Sequence, residues 1–139
     1  VAIRLSRVGF DNILGHLSGG IDSWKEDDLQ TISSISANIF NDIYQEDNTI
    51  NIVDVRKEVE YKSRHIVSAV LNPLSDLEND KLNTTAENFV HCAGGYRSVI
   101  ACSLLKREGI HNVTNIEGGF GAIKKTDLPL SEEVCPSTL

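Results

Sequence analysis

Short apolar runs alternate along the chain with segments of helical periodicity, and polar turns separate them. Strands are predicted over TISSI, INIVDV, HIVSAVLN, NFVHC and NVTNI, of which INIVDV is an apolar, β-branched run typical of a buried strand. Helices are predicted over ANIFNDIYQ with Ser36 as its N-cap, over RKEVEYKSR, over RSVIACSLLKRE up to Gly109, and over GFGAIKK. SDLENDKLNTTAE is a polar connection with some helix. Alternating strands and helices predict an α/β domain, a parallel central sheet with helices on both faces.

The first 29 residues repeat a later part of the chain. Residues 1–29 align with residues 101–128 when one extra residue is allowed near positions 14–16, and nine positions are then identical. The matches include three glycines, which pair as Gly9 with Gly109, Gly19 with Gly118 and Gly20 with Gly119. Both copies follow the order helix end, strand, Gly-Gly and helix. We therefore expect residues 1–31 to be the C-terminal remnant of a preceding domain, 32–130 a complete domain of the same kind, and 131–139 a tail.

Charge and composition exclude several classes of protein. The formal net charge of −7 and the pI near 5.0 argue against a nucleic-acid-binding face. No apolar run has the length of a membrane span, and no signal-peptide pattern is present. Three irregularly spaced cysteines predict neither a disulfide framework nor a zinc site. We expect a cytoplasmic protein, without a metal, that contacts neither nucleic acid nor membrane.

The segment CAGGYRS carries the candidate chemistry. Cys92 follows a predicted strand, at the edge of a parallel sheet where ligands bind. Gly94 and Gly95 let successive N–H groups turn toward one point, which the positive end of the next helix also faces. Arg97 adds a charge and a fork of donors. These features predict a nucleophilic thiolate in an anion-binding loop made by Ala93, Gly94, Gly95, Tyr96, Arg97 and Ser98.

This loop resembles the active-site loop of rhodanese-type sulfurtransferases, which has the form Cys-x-x-Gly-x-Arg-Ser. VDVRKEVEYKSRHIVSAVLNP is similar to a second hallmark of that family, Asp-x-Arg followed by Glu-Tyr and His-Ile, and NVTNIEGGFGAI is similar to its closing strand, Gly-Gly and helix. Arg64 departs from the glycine common before His-Ile. The resemblance spans residues 32–130. It implies a rhodanese-like fold and sulfur transfer through a persulfide on Cys92, without a metal or organic cofactor, from a small sulfur donor to a thiophilic acceptor.

Two rival functions stay open. Four residues separate Cys92 from Arg97, whereas the related cysteine phosphatases and arsenate reductases have five and bind a larger oxyanion; the shorter loop favours sulfur. A tandem pair of rhodanese-like domains also resembles fusions in which such modules follow a metallo-β-lactamase-fold hydrolase or persulfide dioxygenase. In that case the chain is a sulfur-relay or regulatory module, and the upstream rhodanese and hydrolase domains are its partners.

Other polar residues are assigned supporting roles. Asp54 and Arg56 are expected to brace the sheet edge, with Arg56 paired to Glu60. His65 is expected to be structural, because transfer from a stabilised thiolate needs no general base. Tyr96 is expected at the pocket rim. Cys102 is expected to pack in the core, since free cysteines are often buried.

Overall fold

The computed structural model describes residues 3, 6, 9, 11–24 and 29–135. The chain divides into two compact units, Val1–Thr31 and Ile32–Leu139. Parts of the predicted remnant and tail lie outside the described residues, namely residues 1, 2, 4, 5, 7, 8, 10, 25–28 and 136–139.

The second unit alternates strands with helices, as predicted. Its strands are β1 (Ser33–Ile35), β2 (Asn51–Asp54), β3 (Ala69–Leu71), β4 (Asn88–His91) and β5 (Val113–Ile116). Its helices are α1 (Ala37–Glu46), α2 (Glu58–Ser63), α3 (Tyr96–Arg107) and α4 (Gly119–Ile123), with short 3-10 helices at Leu74–Asp76 and Asn79–Lys81. The predicted N-cap of α1 is confirmed, because the Ser36 side chain accepts a hydrogen bond from the Ile39 N–H.

All five strands are parallel and form one sheet in the order β1-β5-β4-β2-β3. The two central strands, β4 and β2, end side by side, with His91 in register with Asp54. Since parallel strands present their carboxyl ends at one edge, the loops that follow β2, β4 and β5 meet there. Cys92 follows β4 directly and lies at this edge.

Successive strand residues face opposite sides of the sheet, and each side is covered. Ile52 and Phe89 belong to a core shared with α1, α2 and α4. Val53 and Val90 belong to a second core, which α3 and the segment around the 3-10 helices complete. Each large apolar side chain buried in this way stabilises the fold by about 1.5–3 kcal/mol. The prediction of helices on both faces is confirmed.

The predicted strand HIVSAVLN is too long, because its first half pairs with the end of the domain. Only Ala69–Leu71 joins the sheet beside β2. The backbone before it bonds instead to residues 129–134: the Val67 N–H donates to the Pro129 carbonyl, and the Ser131 N–H to the His65 carbonyl. Residues 129–134 are therefore bound along residues 63–67.

The strand predicted in the first unit is absent. Residues 11–17 have no regular secondary structure, and a 3-10 helix follows at Gly20–Ser23. In the second unit the matching segment, β5, exchanges backbone hydrogen bonds with strands on both sides. A strand needs neighbouring strands to form these hydrogen bonds, and the described residues of the first unit contain no strand. An apolar sequence alone does not form a strand.

Candidate active site

The Cys92 thiol lies at the base of the loop between β4 and α3. The residue is 1% exposed, and its Sγ accepts a hydrogen bond from the Gly95 N–H at 3.1 Å. Burial raises the pKa of this thiol, but hydrogen bonds from the Ser98 hydroxyl and from the backbone N–H groups of Ser98, Gly94 and Gly95 outweigh that effect. The net pKa lies below the ordinary value. The loop thus favours a buried thiolate, the form in which sulfur is nucleophilic.

Ser98 connects this sulfur to β5. Its hydroxyl lies 3.5 Å from the Cys92 Sγ and 2.6 Å from the Oδ1 of Asn115. The Asn115 Nδ2 in turn donates to the Ser34 Oγ at 3.1 Å. The three side chains form a polar chain that leads from the thiol through the buried Ser98 and Asn115 to Ser34, which is exposed on the edge strand β1. It holds the Ser98 oxygen beside the sulfur, and the single hydroxyl hydrogen of Ser98 is donated either to the sulfur or to the Asn115 Oδ1.

Glycines in two segments let the Cys92 loop and the start of α4 touch. Gly95 is the N-cap of α3 with φ +95°, and a Cβ added there would lie 3.2 Å from the Gly118 nitrogen. A Cβ on Gly119 would overlap the Cys92 carbonyl. The approach allows the Phe120 N–H to donate to that carbonyl at 2.6 Å, and the Gly121 N–H to the carbonyl after it at 2.9 Å. The Gly-Gly turn therefore holds the backbone of the Cys92 loop in place.

Arg97 is bound to a carboxylate. Its Nη1 and Nη2 donate to the two oxygens of Glu60 at 2.7 and 2.8 Å. The hydrogen bond with Arg97 lowers the pKa of Glu60, and the same bond raises the pKa of Arg97, with a smaller contribution from the Cys92 thiolate. Arg97 was predicted to add its charge to the loop; the structure shows that this charge is largely compensated by Glu60.

Asp54 and Arg56 form a buried ion pair beneath the site. The Arg56 guanidinium contacts both Asp54 oxygens at 2.6–2.9 Å, and its carbon lies 4.1 Å from the centre of the Phe120 ring. The predicted pairing of Arg56 with Glu60 is wrong, because Arg56 turns inward to Asp54 while Glu60 turns outward to Arg97. Both members of the pair are almost completely buried. A buried charge without a partner is strongly destabilising, and here each charge has the other as its partner.

His91 completes this buried group. It is fully buried, its Nδ1 lies 3.3 Å from the Cys92 carbonyl oxygen, and its Nε2 lies 3.8 Å from Asp54 without a hydrogen-bond partner. Burial lowers the pKa of His91, so the ring is neutral at neutral pH. A neutral ring beside the carbonyl of Cys92 supports the loop without adding a charge.

Three further residues occupy separate positions. The His65 Nδ1 lies 2.8 Å from the Tyr61 carbonyl, and its ring stacks on Tyr61 with centroids 3.8 Å apart. Tyr96 is 44% exposed. Cys102 is fully buried in the core on the α3 side, as expected, and burial raises its pKa to about 12.

Within the part of the chain that the structure describes, no group of three or more His, Cys, Asp or Glu side chains is arranged to hold a metal ion, and no helix is long and apolar enough to cross a membrane.

The sequence did not identify the partners that reach the site from distant segments. Glu60, Asn115 and Gly119 lie 37, 17 and 27 positions from the loop residues they contact. A signal existed for two of them. Glu60 belongs to the Glu-Tyr hallmark and Gly119 to the Gly-Gly pair, but neither pattern names its partner. Asn115, inside an apolar strand, carried no such signal.

Curated proteins resemble this chain in sequence. A Bacillus subtilis protein named "Putative sulfur carrier protein YrkF" is 31% identical over 110 residues, which are 78% of this chain and 60% of that protein. The chain spans somewhat more than half the length of the curated relatives it matches.

Solved structures share the fold. The NMR structure of the rhodanese-like domain of an Anabaena protein, Alr3790, has a TM-score of 0.66 and 25% identity over 78% of this chain and 85% of that chain. A Rhodopseudomonas palustris protein described as a possible tyrosine phosphatase has a TM-score of 0.62 over 72% of this chain and 85% of that chain; at 22% identity it shows the fold alone. The family model for the rhodanese-like domain matches residues 36–126. The chain therefore belongs to the rhodanese-like domain family.

Proposed function

We propose that this protein is a sulfurtransferase that moves a sulfane sulfur through a persulfide on Cys92. The thiolate attacks the outer sulfur of thiosulfate, the new S–S bond forms, and sulfite leaves with the electron pair of the old one. With an organic persulfide the leaving group is a thiolate. A thiophilic acceptor such as cyanide, sulfite or a thiol then takes the outer sulfur and restores the Cys92 thiolate. The cycle balances without a metal or organic cofactor.

The observation that carries this proposal is the hydrogen bonding of the Cys92 sulfur. A buried thiol would ordinarily stay protonated, but donors in the loop lower its pKa. The same donors can stabilise the negative outer sulfur of a persulfide. Ala93 and Gly94, which follow Cys92 in the loop, are exposed, so this part of the loop is in contact with solvent.

Intact mass measurement tests the proposal. The protein is incubated with thiosulfate or a small organic persulfide, and the mass of the polypeptide is recorded before and after addition of cyanide. The wild type should gain one sulfur and lose it to cyanide, whereas Cys92→Ser should gain none. The variant Cys102→Ser, which removes a buried thiol of the core, is the matched control and should behave as the wild type does. Equal labelling of wild type and Cys92→Ser would overturn the assignment.

A carrier role is the second candidate, and the name of the Bacillus subtilis relative supports it. In this role the Cys92 persulfide passes its sulfur to a protein thiol rather than to a small acceptor. If the Cys92 persulfide transfers its sulfur more slowly to cyanide than to the thiol of a protein partner, the carrier role is favoured.

Phosphatase or arsenate reductase activity has less support, because the loop from Cys92 to Arg97 is one residue shorter than the loop in those enzymes. If the protein hydrolysed an aryl phosphate faster than it transferred sulfur from thiosulfate, the phosphatase would become the better-supported function.

The wider context is also a proposal. We infer that residues 1–31 end a preceding rhodanese-like module, in a fusion with a metallo-β-lactamase-fold hydrolase, and that the protein lies in the reducing cytoplasm, where a reactive thiol persists. The support is backbone conformation: φ is positive at all three matched glycine pairs, namely Gly9 and Gly109, Gly19 and Gly118, and Gly20 and Gly119. Sequencing the reading frame upstream tests this. A reading frame without a rhodanese-like segment before residue 1 would overturn it.

A further inference from the structure

Glu60 is held firmly against the catalytic loop. Its carboxylate binds Arg97 through two hydrogen bonds, and its Oε2 also accepts the Lys57 N–H at 3.1 Å. The Glu60 side chain is 32% exposed and that of Arg97 24%. A bidentate pair between half-buried partners has a defined geometry, unlike a mobile surface pair. The position of Glu60 is thus part of the site.

This pairing changes the charge that a sulfur donor meets. Arg56 is neutralised by Asp54 and Arg97 by Glu60. With the Cys92 thiolate added, these five groups carry a net charge of −1. A dianion such as thiosulfate is repelled more strongly by this set than a donor with a single charge. Backbone N–H groups, which carry only partial charges, are left to stabilise the transferred sulfur.

We propose that Glu60 determines donor specificity: by compensating Arg97 it disfavours dianionic donors and favours sulfane-sulfur donors with at most one charge at the reacting group, such as organic persulfides. This inference rests on the proposed sulfur transfer through Cys92. Glu60 touches Arg97 and not the reacting sulfur, so it acts as a specificity-determining residue rather than a catalytic one.

Two donors separate charge from sulfur chemistry. Thiosulfate is a dianion and releases sulfite; methanethiosulfonate is a monoanion and releases methanesulfinate. Each gives the same Cys92 persulfide, because the thiolate forms a bond to the terminal sulfur and the leaving group departs with the electron pair. The ratio of their second-order rates of persulfide formation, followed by intact mass, cancels the state of the thiol. Comparing this ratio between variants also cancels the intrinsic reactivity of the donors.

Three variants test the role of the charge. Glu60→Gln keeps the shape and an accepting oxygen but releases the charge of Arg97. Glu58→Gln is the matched control, since it removes one charge from the same turn of α2, where Glu58 pairs with Lys62 instead. Arg97→Gln leaves the Glu60 charge uncompensated. Circular dichroism and thermal melts establish that each variant is folded.

We expect Glu60→Gln to raise the thiosulfate-to-methanethiosulfonate ratio by about tenfold and Arg97→Gln to lower it by about tenfold, as one unit charge close to a partly exposed site should do. Glu58→Gln should leave the ratio within about twofold of the wild type, because exposed charges are strongly screened. Should Glu60→Gln fail to fold, the Arg97→Gln ratio decides alone. A ratio unchanged in folded Glu60→Gln, or in Arg97→Gln where Glu60→Gln does not fold, would overturn the role of Glu60 while leaving sulfur transfer intact. Absence of Cys92 labelling by either donor in the wild type would overturn both proposals.

Discussion

Replacing Gly119 by alanine should displace the Cys92 loop through backbone contact alone. Gly119 has φ +53°, and a Cβ there would overlap the Cys92 carbonyl oxygen and lie 2.9 Å from the carbonyl carbons of Cys92 and Ala93. These atoms are backbone, so they cannot rotate away as a flexible side chain could. The loop or the start of α4 must shift, and the Phe120 N–H bond to Cys92 must lengthen.

The expected cost follows from those contacts. Overpacking against a fixed neighbour costs about 1–3 kcal/mol, and loss of the Phe120 hydrogen bond adds about 1 kcal/mol. Gly109→Ala is the matched control, because Gly109 also has a positive φ, +89°, but a Cβ there would meet nothing within 4 Å. Gly109→Ala therefore has the same cost of about 1–2 kcal/mol for a left-handed backbone at alanine. It also lowers the entropy of the unfolded chain by the same amount as Gly119→Ala does. Gly119→Ala should be less stable than Gly109→Ala by about 2–4 kcal/mol.

Urea unfolding followed by circular dichroism measures both free energies. Alkylation of Cys92, read by site-resolved mass spectrometry, measures the state of the loop. We expect Gly119→Ala to slow thiolate alkylation at neutral pH, whereas Gly109→Ala leaves it unchanged. If the two variants are equally stable within about 0.5 kcal/mol and their Cys92 thiols are alkylated at the same rate, the contact with the Gly-Gly turn does not hold the Cys92 loop in its conformation.

Three further predictions concern single groups. Because the Cys92 pKa is lowered, its alkylation should reach half its maximal rate at a pH below about 8.5, the ordinary thiol value, while Cys102 stays unmodified until the protein unfolds; equal titration of the two thiols would contradict the loop geometry. Asp54→Asn should destabilise the fold by about 3 kcal/mol or more in urea unfolding, since it leaves the Arg56 charge buried without its partner; a cost below about 1 kcal/mol would mean that the pair is exposed in solution. His65→Ala should leave Cys92 alkylation within about twofold of the wild-type rate, because the ring binds Tyr61; an alkylation profile shifted to higher pH would restore His65 as a proton acceptor.

Local features of the fold were predictable because local sequence determines them. The predicted strand runs TISSI, INIVDV, NFVHC and NVTNI contain strands β1, β2, β4 and β5, and the Ser36 cap begins α1 where expected. The loop geometry likewise depends on consecutive residues: Gly95 supplies a positive φ, and its N–H then points at the Cys92 sulfur. Periodicity, caps and turn residues act over a few positions, so one sequence suffices to identify them.

What the sequence alone determined about this protein is therefore its alternating strands and helices, and the position of Cys92 in a glycine-rich loop after a strand. Tertiary structure alone decided which charges meet. The sequence placed Arg56 and Glu60 four positions apart and made them a plausible pair, but the packing of α2 sends one toward Asp54 and the other toward Arg97. Tertiary structure also brought Gly119 against Cys92 and Asn115 against Ser98. Such contacts depend on the order of strands in the sheet and on the direction of each helix, and those are set by packing of the whole core rather than by any local pattern.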